Sequence, residues 1–124
     1  MSATHLHAGT LKPFGDPVVL DALRACRAGV MTMENHSAIG GLGAAVAELL
    51  ADAEIGRRLL RMGLQDTFAH GGSRPYLLDH YGLSARHLVC RVEELVGGPL
   101  GIDEQALAPA EIPQPRPQAR AEAL

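Results

Sequence analysis

The chain has no tryptophan, two tyrosines and two phenylalanines among 124 residues. So thin an aromatic complement leaves few platforms on which unpaired bases could stack. The formal net charge of −3, from 11 Lys+Arg against 14 Asp+Glu, provides no basic field for a phosphate backbone. Nucleic acid is therefore excluded as the expected partner. Long apolar runs are lacking as well: none approaches the span of a bilayer, and Met1–His7 has neither a basic n-region nor an apolar h-region. The expectation is a cytoplasmic chain with no membrane contact. Cysteine is scarce. Cys26 and Cys90 lie far apart with no Cys-x-x-Cys spacing, which excludes a redox pair or a zinc knuckle and predicts two buried thiols. Histidine is not scarce, but none of the six forms a His-Glu-x-x-His pattern. His5 and His7 would share one face of a strand, a two-ligand start to a metal site for which no further ligand can be named.

At this length the chain fits one domain with a sizeable core. Thr4–Leu11 alternates enough for a short strand, ended by Lys12-Pro13. Asp16-Pro17 pairs an N-cap with a proline at the first helical position, and Val19, Leu20, Leu23 and Cys26 follow at helical spacing until Gly29. Gly29–Met33 is a short uncharged run that predicts a strand buried on both faces. A helix from Gly41 to about Asp52 places Leu42, Ala45, Val46, Leu49 and Leu50 on one broad face. Leu59–Leu64 predicts a second strand, followed by the loop Gln65–Ser73, a short helix from Arg74-Pro75 to Tyr81-Gly82, and a last helix capped by Ser84. Strands and helices alternate, so the predicted fold is α/β, a three-layer open and mostly parallel sheet flanked by helices. The domain would span residues 1–97. From residue 98 to 124 the chain turns Pro/Ala-rich, which predicts a disordered tail.

The segment Met33–Gly43 carries the densest signal. Gly40, Gly41 and Gly43 follow Glu34, Asn35 and His36 at the carboxyl end of the Gly29–Met33 strand, where α/β proteins place ligands. Unpaired N–H groups opening the next helix attract negative charge, so this turn is a candidate anion site. Glu34, Asn35 and His36 could act as acid, amide and base, or could cap the helix or meet a neighbouring chain. Gly41-Leu42-Gly43 begins like a dinucleotide fingerprint, with Asp66 at the distance of a ribose-binding acid, yet Val46 stands where a third small residue is required. Close packing of helix on strand explains the glycines more simply. Arg57, Arg58 and Arg61 read as a solvated face.

The run Thr32-Met33-Glu34-Asn35-His36-Ser37-Ala38-Ile39-Gly40-Gly41-Leu42-Gly43-Ala44-Ala45-Val46 resembles the C-terminal domain of transketolases, especially the small subunit of split bacterial transketolases. Gly63-Leu64-Gln65-Asp66-Thr67-Phe68, Gly71-Gly72-Ser73 and Leu77-Leu78-Asp79-His80-Tyr81-Gly82-Leu83 are similar to that family's Gly-x-x-Asp-x-Phe loop and Leu-Leu-x-x-Tyr-Gly-Leu helix, and Leu11-Lys12-Pro13-Phe14 to its Lys-Pro turn. The resemblance runs from about Leu6 to Val96. It implies an open α/β domain, the third of a thiamine-diphosphate enzyme that moves a two-carbon ketol unit between sugar phosphates. It also implies that cofactor and magnesium sit on two other domains, for which this sequence has no Gly-Asp-Gly segment. In the family pattern a further strand–helix unit precedes the Lys-Pro strand, and here it is expected to be missing.

The resemblance therefore implies a non-catalytic C-terminal component of a split or truncated transketolase-like enzyme, inactive alone. It would bind no cofactor by itself, and would dock on a chain bearing the thiamine-binding domains or self-associate. The alternative is a free-standing module that holds a small anion or sugar phosphate on the Glu34–Gly43 turn.

Overall fold

Asp16 opens the first helix as its sequence predicts. Its carboxylate accepts from the Val18 N–H at 2.9 Å, Pro17 takes the first helical position, and α1 runs Pro17–Ala25. Because this cap satisfies a donor that would otherwise face only water, Asp16→Ala is expected to cost about 1 kcal/mol. Thermal unfolding should show this as a midpoint lowered by about 5 °C; an unmoved midpoint would contradict it.

The computed structural model describes residues 2–107. After α1 the chain forms β1, Val30–Ser37, then α2, Leu42–Asp52, and β2, Leu59–Leu64. The two strands pair in parallel, Val30 opposite Leu59 through Met33 opposite Met62, and then, past an irregularity, Ser37 opposite Leu64. Parallel neighbours need a crossover, and α2 supplies it. Helices α3, Arg74–His80, and α4, Ala85–Val96, follow, and a short 3-10 helix spans Glu104–Leu107.

Strand alternation sorts the side chains into two layers of contact. Val30 and Leu59 turn to one face and pack on Leu23 of α1 with Val46 and Leu50 of α2, joined by Phe14, Val19, Leu42, Leu49 and Ile55. On the other face Met62 is buried and shares a cleft with Leu83 and the α4 residues His87 and Cys90. Helices thus lie on both sides of a parallel pair, the α/β layering expected. Gly29, at φ 145°, lets α4 close over the start of β1: a Cβ there would stand 3.0 Å from Leu95 Cγ and 3.1 Å from the Arg58 carbonyl oxygen.

Four expectations change. Thr4–Leu11 forms no strand; its residues are exposed, and with no neighbouring ladder its backbone gains nothing from extension. β1 does not end at Met33, because pairing resumes at Ser37 and draws Glu34, Asn35 and His36 into the strand. Ser84 precedes α4 but makes no side-chain cap, its hydroxyl being turned elsewhere. Cys90 is exposed, since α4 lays one flank against solvent, and Cys26, just past the end of α1, is only half-buried. Of the tail read from residue 98, residues 98–107 are described, and Leu100 N–H donates to Glu93 Oε1 at 2.8 Å. Residues 108–124 lie outside the described residues.

Candidate functional site

Glu34 lies on the β1 face that looks at α2, and its carboxylate reaches the start of that helix. Oε2 accepts from Leu42 N–H at 2.7 Å and Oε1 from Gly43 N–H at 3.0 Å. Both oxygens therefore satisfy first-turn donors that have no partner within the helix, and the negative charge sits where the helix dipole favours it. Gly41, the residue before α2, contributes no side-chain cap, so Glu34 supplies one from eight residues before Leu42.

The glycines make room for this clamp. A Cβ on Gly41 would overlap Glu34 Oε2 and lie 2.8 Å from the Ser37 carbonyl oxygen. A Cβ on Gly43 would meet Arg61 Cδ at 2.7 Å and Thr32 Oγ1 at 3.0 Å, so Gly43 seats α2 on the sheet. Gly40 has φ 72° and open space around it; its role is the turn itself. Ser37 Oγ accepts from Ile39 N–H at 3.1 Å, and buried Ala38 donates its N–H to the Leu64 carbonyl at 2.9 Å, tying the turn to both strands.

Of the six candidates, then, the structure brings together Glu34, Gly41 and Gly43, while Asn35 and His36 are exposed on the strand and do not join Glu34 as an acid–amide–base set. Two of the first-turn donors at this turn, the Leu42 and Gly43 N–H groups, are met by the Glu34 carboxylate. Asp66 sits exposed in the loop after β2 at φ 39°, and His5 and His7 lie in the exposed N-terminal segment. Magnesium with a diphosphate asks for a set of oxygen ligands. Among the described residues no three His, Cys, Asp or Glu side chains converge, and the turn's carboxylate is spent on backbone donors. The described residues therefore offer no such ligand set at this turn.

Two constellations were not visible from spacing. His70 bridges two phenols, Nε2 to Tyr76 Oη at 3.2 Å and Nδ1 to Tyr81 Oη at 3.0 Å, with His80 packed edge-on at a centroid distance of 5.0 Å. This cluster fastens the Gln65–Ser73 loop to α3. Next to it, Ser84 Oγ–H donates to Asp79 Oδ1 at 3.2 Å and lies 2.7 Å from His87 Nδ1. A hydroxyl has one proton, so His87 Nδ1 is the donor in the second contact. The repeated His/Tyr/Ser residues between positions 70 and 87 were the only signal, and only the fold of the loop pairs them.

A strand–turn–helix junction capped by its own carboxylate, between parallel strands with helices on both faces, defines an α/β domain. Comparison with known families says which. The model of the transketolase C-terminal domain matches residues 1–88, and the chain belongs to that family. It is 36% identical over 94 residues to a Methanocaldococcus jannaschii protein provisionally named a transketolase C-terminal section, covering 76% of this chain and 28% of that protein. It is 38% identical over 95 residues to a 6-deoxy-6-sulfo-D-fructose transketolase subunit of a Clostridium species, covering 77% and 29%. Over 75 residues it is 44% identical to the 1-deoxy-D-xylulose-5-phosphate synthase of Chlorobium phaeovibrioides, covering 60% and 12%. The chain thus spans less than a third of the length of these relatives. Among the described residues no helix is long and apolar enough to cross a membrane.

Proposed function

We propose that this chain is a non-catalytic C-terminal component of a split or truncated transketolase-like enzyme, working in the cytoplasm and contributing subunit contacts to a chain that carries the thiamine-binding domains. The cofactor and magnesium belong to that partner. Family membership supports the class of enzyme, and the similarity to a protein named as a transketolase subunit supports division of the activity between chains.

One observation carries the contact itself. Ile39 follows β1 and Phe68 follows β2, so both stand at the carboxyl end of the parallel pair, and they are 65% and 101% exposed. Large exposed apolar side chains favour burial against a partner. Met33, in the middle of β1, is also 40% exposed. The outer edge of β1 is unpaired within the described residues, and such an edge is normally covered. Size-exclusion chromatography with light scattering is the test. The chain mixed with a purified protein bearing the two thiamine-binding domains should elute as a complex. Separate elution, together with a monomer that binds no hydrophobic dye, would overturn the proposal.

A further inference from the structure

We infer that the cleft between the outer edge of β2 and helix α4 is a binding site for a small organic phosphate. The site lies wholly within this chain and needs no partner. The cleft has a volume of about 480 Å³, within the range of small-molecule sites. Arg61, Gln65, Tyr81, His87, Cys90 and Arg91 line it, and no carboxylate does.

Backbone geometry supplies the first donors. In a parallel ladder successive residues turn their N–H and C=O groups alternately to the two sides. Val30 N–H donates to the Arg58 carbonyl at 2.8 Å, so Arg58, Leu60 and Met62 address β1 while Arg61 and Gly63 address the cleft. Within the described residues no group accepts from the N–H of either. Gly63 is buried, and a Cβ there would meet Glu34 Cγ and the His36 carbonyl oxygen at 3.1 Å, so that packing calls for glycine and only its backbone faces the cleft.

Charge supplies the rest. Glu94 is shared by Arg58 and Arg91, so one carboxylate meets two guanidinium groups. Arg91 offers the planar fork that matches a phosphate. His87 is held by its Nδ1–H on Ser84 Oγ, and the nearby Asp79 carboxylate is met by Arg86 at 3.1 Å. At Gly63 the edge is less suited to adding a strand from a peptide, because its carbonyl already accepts from Gln65 Nε2 at 3.0 Å. The open N–H groups beside Arg91, in a cleft that no carboxylate lines, favour an anion.

The test is calorimetry with amide chemical-shift mapping on the full chain, using glycerol 3-phosphate and glycerol as probes. Glycerol 3-phosphate should bind saturably, moving the Arg61 and Gly63 amides, and glycerol should not. Arg91→Gln should weaken binding about tenfold, with its thermal midpoint close to the parent's, while Arg24→Gln on α1 leaves binding unchanged. Equal response to glycerol, indifference to Arg91→Gln, or no saturation would each overturn the site. So would shifts confined to Leu42 and Gly43, or a response along Leu59–Leu64 to an uncharged extended peptide with none to glycerol 3-phosphate.

Discussion

Gly41→Ala is expected to destabilise the domain by about 3 kcal/mol or more, far beyond the ordinary cost of a glycine replacement. The added Cβ would overlap Glu34 Oε2 and stand 2.8 Å from a backbone oxygen, that of Ser37. A flexible side chain can yield, but the Ser37 carbonyl belongs to a strand end held by the ladder. The carboxylate would have to leave the α2 N-terminus, exposing the Leu42 and Gly43 donors it satisfies. Glu34→Ala removes the same clamp without the clash and should cost about 2–3 kcal/mol, the range for hydrogen bonds to a charged group at a helix start. The two changes share one contact, so the double variant should lose less than the sum of the singles. Denaturant midpoints measure all three. Additive losses, or a Gly41→Ala protein as stable as the parent, would show that Glu34 does not hold the helix.

The second large effect concerns association rather than folding. Phe68 projects wholly into solvent from the loop that the His70 cluster fastens to α3. A buried aromatic anchor at the centre of an interface is commonly a dominant contact, so Phe68→Asp should weaken binding to the thiamine-binding chain about thirtyfold or more. Since the ring touches nothing it stabilises in the free chain, the thermal midpoint should stay within about 2 °C. Ile39→Asp, at the neighbouring strand end, should act in the same direction. Loss of stability in step with loss of binding would make Phe68 a folding residue and remove the contact from the account.

Local chemistry made much of the fold legible. The Asp-Pro pair marked α1, glycines bracketed α2, and an apolar run marked β2 with the bounds Leu59–Leu64. Each depends on residues within a turn or two. Thr4–Leu11 has the alternation of a strand, but a strand exists only through its neighbour, and the described residues place none beside it. Glu34 stood out as a site residue, whereas its use as a helix cap depends on a turn that brings positions eight and nine residues apart together. Ser84 had the identity and position of a cap, yet Asp79 and His87, across the α3–α4 junction, took its hydroxyl. The cleft was hidden for the same reason: its lining joins β2 to α4 through pairings that periodicity does not encode.

Reconstitution of ketol transfer tests the central claim most directly. A purified chain bearing the two thiamine-binding domains, assayed with thiamine diphosphate and magnesium, should gain activity when this chain is added at equimolar amounts. It should gain little with the Phe68→Asp variant, and this chain alone should show none. Unchanged activity on addition of the parent chain, with no complex formed, would contradict the account.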